Sequence, residues 1–159
     1  MVFLSAFLFV ACAAVPQPDQ RADALLQQRG QPTGRYTMGN GITRLEFATG
    51  PFGRETWMVD IDTASQQVLA AYQVLNEASF ADFQRHAAGM TRDELLRTLG
   101  RPGERRSGGW QGGQVWSWRY PTNDCLWFQA SIGDDGIVRD GAYATDPLCD
   151  TRNDGRNLR

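Results

Sequence analysis

Lysine is absent from the 159 residues: all 16 basic side chains are arginines. Against 18 acidic residues they leave a formal net charge of -2. No basic excess of the kind that displaces counterions from a phosphate backbone is present, so nucleic acid is not expected as a partner. The exclusive use of arginine reads first as a coding bias. Histidine occurs once, as His86, and cysteine at three positions, Cys12, Cys125 and Cys149. One histidine and two well-separated cysteines do not make a zinc ligand set. A nucleophilic serine would find a single imidazole to serve as its base. Neither a metal, nor another cofactor, nor an enzymatic activity is therefore expected. Long apolar runs are missing too: the uncharged stretch MVFLSAFLFVA is about half the length of a membrane-crossing helix.

That stretch, residues 1–11, has the length of a signal peptide, and cleavage is the expectation. A positively charged n-region is missing, so the true start is expected upstream. Phe9-Val10-Ala11-Cys12 resembles the lipobox of bacterial lipoproteins, which implies lipidation of Cys12 as the mature N-terminus. The alternative is plain secretion, with Cys12 a small residue of the signal. Using Cys12 for lipid leaves Cys125 and Cys149 free to pair. The bridge would close a loop of about 24 residues, add roughly 3 kcal/mol in a loop-entropy treatment, and imply an oxidising compartment. Two reduced, buried thiols remain the alternative.

A Pro- and Gln-bearing tether, 12–18, precedes the first helix, expected from Gln20 to Arg29 with Asp19 as its cap and Gly30 and Pro32 as its stop. From there the apolar period changes from helical to alternating. ITRLEFA (42–48), ETWMVDID (55–62) and QVLAAYQVL (67–75) read as three strands, each with one buried face. A helix is expected from Ser79 to Ala88. Thr91 and Glu94 then form a capping box for a helix ending at Leu99, where Gly100 and Pro102 repeat the stop. QVWSWRY (114–120), CLWFQASI (125–132) and GIVRDGAY (136–143) are three further strands, with GDDG as the last turn.

The halves align at an offset of 70 for Leu25/Leu95, Gly30/Gly100 and Pro32/Pro102, and of 71 for Leu45/Trp116, Phe47/Trp118 and Tyr72/Tyr143. This is a duplicated helix-plus-sheet unit. The expected fold is α+β, two tandem helix-plus-antiparallel-sheet repeats at 19–76 and 77–150, followed by a tail at 151–159. GMTRDELLRTLGRP, followed by VWSWRY, CLWFQASI and GDDGIV, resembles the SmpA/OmlA (BamE) family of outer-membrane protein assembly lipoproteins. The resemblance covers residues 79–145 and reaches 19–75 only through the repeat. As a tandem pair the units also resemble the β-lactamase inhibitor protein. The resemblance implies a non-enzymatic scaffold or assembly accessory with an envelope protein partner, held by N-terminal lipid to the outer membrane and facing the periplasm. The competing expectation is a soluble periplasmic inhibitor or ligand-binding module with one concave sheet surface.

The chemistry-bearing residues give little to catalysis. VDIDTA (59–64) carries the Asp-x-Asp-x-Thr order of haloacid-dehalogenase-type phosphatases in part, but Ala64 breaks the motif and no βαβ crossover follows. Asp134 and Asp135 supply far fewer than the six to eight oxygens calcium takes, so they read as turn residues. His86, late in its helix, reads as a cap for carbonyls. The aromatic residues are more informative. Trp116, Trp118 and Tyr120 share one strand face and Leu126, Phe128, Ala130 and Ile132 a face of the next, both expected beneath the helices. That places Trp127 on the opposite, open face with Val115, Ser117, Arg119 and Gln129, while Trp110 sits in the Gly-rich loop. An open face bearing aromatics and arginine suits a protein-docking hot spot; cover by the neighbouring repeat is the alternative. Arg97, Arg101, Arg105 and Arg106 cluster around the second helix stop, as a solvated face or as a site for an acidic partner or anionic lipid.

Overall fold

The computed structural model describes residues 15–49, 54–109 and 112–150. Cys12, Trp110 and the 151–159 tail lie outside them. The fold is α+β, with two separate four-stranded antiparallel sheets, each associated with helices. Helix α1 (Ala22–Arg29) precedes β1 (Gly34–Gly39), β2 (Ile42–Thr49), β3 (Glu55–Asp62) and β4 (Val68–Gln73). Helices α2 (Glu77–His86) and α3 (Arg92–Leu99) precede β5 (Glu104–Ser107), β6 (Gln114–Trp118), β7 (Leu126–Ile132) and β8 (Val138–Thr145), and one turn of helix, α4 (Pro147–Asp150), closes the described chain. Both sheets run in sequence order, β1-β2-β3-β4 and β5-β6-β7-β8.

Each sheet thus has one strand more than the sequence pattern shows. The additional strands, GRYTMG and ERRS, are sheet edges. An edge strand does not need an alternating apolar face, so the pattern is silent there. The first helix also begins later than expected: Arg21 is its N-cap and makes no side-chain cap hydrogen bond. Asp19 instead adopts the left-handed conformation at φ 64°. The capping box at α3 is present, with Thr91 and Glu94 satisfying each other's backbone donors. Asn76 accepts from the Ser79 amide and starts α2 at Glu77.

The duplication extends to individual backbone hydrogen bonds. Asp19 N–H donates to Val68 O at 3.0 Å and Val68 N–H to Gln20 O at 2.8 Å; Gly89 N–H donates to Val138 O at 3.1 Å and Val138 N–H to Met90 O at 2.8 Å. These clips tie the start of each stop helix to the last strand of its sheet. A bulge recurs as well, between Asp60 and Ile61 opposite β4 and between Ser131 and Ile132 opposite β8. The matched bulges correct the alignment of the last strands. Val68 corresponds to Val138 at an offset of 70, so Tyr72 matches Ala142 and Tyr143 matches Gln73, because the β7–β8 turn is one residue shorter.

The two stops share one geometry, with Gly30 at φ 79° and Gly100 at φ 76°, each donating its amide to the carbonyl four residues back at 2.9 Å. Their surroundings differ. A side-chain carbon built on Gly30 meets nothing within 4 Å, whereas on Gly100 it would lie 2.9 Å from Thr56 Cγ2 and 3.1 Å from Glu46 Cδ. The second stop is therefore pressed against the first sheet. Positive φ and close approach together predict that Gly100→Ala costs about 2 kcal/mol while Gly30→Ala bears only the conformational part. Urea denaturation of both variants measures the difference, and equal midpoints would remove the packing role.

The core follows the same arrangement. Ala22 and Leu25 of α1 pack on Leu45, Phe47, Val59, Ile61 and Val68, one face of the first sheet. Phe80, Phe83, Leu95 and Leu99 pack with Trp116, Trp118, Phe128, Ala130 and Ile132, and Met58 from the first sheet's other face joins them. Helix α3 therefore lies between the sheets, which do not join into one surface. The seam it forms with the first sheet is polar. Arg44 pairs bidentately with Asp60 at 2.7 and 2.8 Å and donates to Arg97 O at 2.8 Å. Glu46, fully buried, accepts from Thr33 Oγ1 at 3.0 Å, the Arg101 amide at 3.2 Å and the Tyr36 hydroxyl. Burial, then the Glu46 carboxylate, pushes the Tyr36 hydroxyl up; burial also pushes Tyr72, which donates to Asp60, up to about 12.

Candidate docking face

Strand β5 alternates, so its two arginines part company. Arg105 lies on the helix side, its guanidinium 4.3 Å from the centre of the Trp116 ring, and Arg106 on the outer side, 4.9 Å from Trp127. Arg101 donates its backbone amide into the seam at Glu46, and Arg97 contributes its carbonyl to Arg44. The four-arginine cluster expected from the sequence is thereby divided among separate environments, because strand pleat and helix period send neighbouring residues in different directions.

The outer face of the second sheet is built on β6 and β7. Ser117 and Arg119 stand two residues apart, as do Trp127 and Gln129, and Gln129 Nε2 donates to Ser117 Oγ at 2.9 Å. Trp116, Trp118 and Tyr120 face the helices, as the alternation predicts, and Trp127 takes the opposite side. Trp127 is not open, however: it is 1% exposed. The guanidiniums of Arg106 and Arg119 lie over its ring, Arg119 at 4.8 Å. Arginine covers an aromatic face by stacking and cation–π attraction while its outer nitrogens stay available for hydrogen bonds. Trp127 is thus a buried support for the arginines; Arg106 is accessible on this face and pairs with Glu104 at 3.4 Å, and Asp140 is exposed on the same face. The indole Nε1 of Trp127 is buried with no hydrogen-bond partner among the described residues.

Arg119 is held in turn. Its Nε and Nη2 donate to Asp146 at 2.6 and 2.8 Å, and Glu104 lies 3.6 Å from Nη2. Burial pushes the Asp146 carboxyl up, but the hydrogen bonds from Arg119 and the Leu148 amide outweigh it and hold the group below its ordinary value. Asp146 caps α4, accepting from Leu148 N–H at 3.0 Å, and its amide donates to Cys125 O at 2.9 Å. Cys125 and Cys149 are joined by a disulfide with their Cα atoms 5.9 Å apart. Around this corner a cavity of about 510 Å³ opens, lined by Arg54, Arg119, Tyr120, Asn123, Asp146 and Leu148 among others. Asp146 and Glu104 were not marked by their pattern, although Asp before Pro147 is a helix-start signal that points to Asp146.

The remaining candidates take structural places. Asp60 is the seam partner of Arg44, and Asp62 accepts from the amides of Ala64 and Ser65 and from the Ser65 hydroxyl, which lowers its carboxyl pKa. Asp134 accepts the Gly113 amide at 2.7 Å and pins the Gly-rich loop, while Asp135 pairs with Arg139 and the Ile137 amide. His86 Nδ1 lies 2.9 Å from Asp82 O within α2. Among the described residues no three His, Cys, Asp or Glu gather to hold a metal ion, and no helix is long and apolar enough to cross a membrane.

No family model and no curated protein matches the chain. Among solved structures it is similar to a cysteine-rich secretory protein from Staphylococcus aureus subsp. aureus Mu50, at 12% identity and a TM-score of 0.29. The match covers 86% of this chain and 50% of that one, so the chain spans half the length of the protein it matches.

Proposed function

We propose that this chain is a non-enzymatic, extracytoplasmic interaction module: a scaffold or accessory of the SmpA/OmlA type, duplicated in tandem, lipid-anchored through Cys12 to the outer membrane and facing the periplasm. The observation that carries the reading is the Cys125–Cys149 disulfide. It fits an oxidising compartment and leaves Cys12 as the odd cysteine, inside a lipobox-like sequence. The docking surface is the outer face of the second sheet, where accessible Arg106, exchanging its Glu104 partner for one on the docked protein, and half-buried Gln129 offer polar contacts over the buried Trp127. Such a face suits an acidic envelope protein segment.

Two measurements test this. In membrane fractionation, Cys12→Ala is expected to move the protein from the membrane to the soluble fraction; retention of the variant in the membrane would end the lipid-anchor proposal. In pull-down from solubilised envelopes, Arg106→Glu should reduce recovery of the specific partner about tenfold, the scale of a lost charged interface contact. Undiminished recovery would remove this face from the proposal. A Cys12→Ala protein that stays fully functional in solution would favour the soluble inhibitor or ligand-binding reading instead.

A further inference from the structure

The duplication makes one corner of the molecule unusual. Asp146 stands 70 residues after Asn76, and both cap a helix at the end of the last strand of their sheet. Asn76 opens the ten-residue α2, which drives Phe80 and Phe83 into the core. Asp146 opens α4, whose described residues are Pro147–Asp150, with Pro147 and Leu148 exposed. Where α2 is fastened by buried aromatics, α4 is tied by a disulfide to Cys125, the residue just before β7.

That fastening adjoins Arg119. The guanidinium is closed against Asp146, with side-chain exposures of 6% and 10% for the pair, and Asp146 is positioned by its hydrogen bond to Cys125 O and by the turn that Cys149 completes. Cys125 is exposed and Cys149 less so, and Cys125 is the end of the bridge at which a reductant is taken to attack.

We propose that Cys125–Cys149 is a redox latch on Arg119. Closed, it holds α4 and Asp146 over the guanidinium; opened by a dithiol reductant of the thioredoxin class, it frees α4 and presents Arg119 and the adjoining cavity to an acidic group. The chemistry is thiol–disulfide exchange. A reductant thiolate attacks Cys125 Sγ, the sulfur–sulfur bond breaks and Cys149 leaves as a thiolate that takes up a proton. The second reductant thiol then displaces Cys125, so that two electrons and two protons pass to the protein and the reductant is left as a disulfide. The identity of what Arg119 meets rests on the docking reading; the opening itself does not.

Arginine-specific labelling with phenylglyoxal, mapped by peptide mass spectrometry on the mature protein, reads the latch directly. In the oxidised protein Arg119 and Arg44 should both be protected. After dithiothreitol, with free thiols verified by alkylation, Arg119 labelling should rise about tenfold as local opening becomes populated, while Arg44 in the Asp60 pair stays protected. The double variant Cys125→Ser/Cys149→Ser should label at Arg119 without reductant. Continued protection of Arg119 once both thiols are free would overturn the proposal, and so would a parallel rise at Arg44, which reports general unfolding. A partner pull-down unaffected by Arg106→Glu would sink the docking reading and leave this labelling result standing.

Discussion

Phe80→Ala is expected to cost about 3–5 kcal/mol, the range for emptying a fully buried aromatic site. Phe80 is stacked on Phe128 with ring centres 4.3 Å apart and planes within 5° of parallel, and it meets Tyr120 edge-on at 5.2 Å. Its ring joins α2 to β7, so its loss leaves a void between helix and sheet that neither can close alone. Phe83 stands edge-on to the same Phe128 ring at 5.7 Å and stays in place. Guanidinium chloride denaturation with the disulfide intact is the measurement: the midpoint should fall with the slope unchanged. A loss below about 1 kcal/mol would mean that the aromatic cluster collapses around the void and that its geometry matters less than its area.

Glu46→Ala should cost about 3 kcal/mol, from a position whose chemistry looks superficial in the sequence. The carboxylate is fully buried and accepts from Thr33, Tyr36 and the Arg101 amide, so truncation leaves these donors facing a dry seam. Glu46→Gln keeps an acceptor and should recover part of the loss, whereas Glu46→Leu fills the space and abandons the donors. Thermal unfolding of the three variants should therefore rank Gln above both Leu and Ala. If Leu proved the most stable, the seam would be held by volume and the polar cluster would serve registry alone.

These two residues mark where the sequence could and could not be read. Phe80 belongs to an aromatic helical face, and an apolar stripe at helical spacing means burial in almost any context. The stop at Gly100 and Pro102, the capping box at Thr91 and the inward faces of β6 and β7 are legible for the same reason: each is a local rule with a residue to carry it. Glu46 obeys the alternation of β2, which predicts an outward-facing side chain. Leu45, Glu46 and Phe47 are all buried, because the sheet is covered on both faces and on the second face Glu46 and Arg44 sit beside Met58. Period-two patterning detects one apolar face and cannot announce a polar one. Trp127 departs in the same sense: alternation predicts its side of the sheet, but two arginines from other segments of the chain cover it. The edge strands β1 and β5 were missed because Gly-flanked and Arg-rich tetrads and hexads carry no strand signal of their own.

The shifts between the two halves have their own meaning. From α1 through β1 the copies differ by 70 positions, across the central pair of strands by 71, and in the last strand by 70 again. One residue was gained in the connection before β6 and one lost in the turn before β8, and the strand pairings absorbed neither. Length has drifted only where backbone hangs free of a ladder, at the tips on one end of the sheets. Those hairpin tips are thus the places where this scaffold can accept a foreign peptide without a change in pairing, and the connection between β5 and β6 is the longer of the two in sequence.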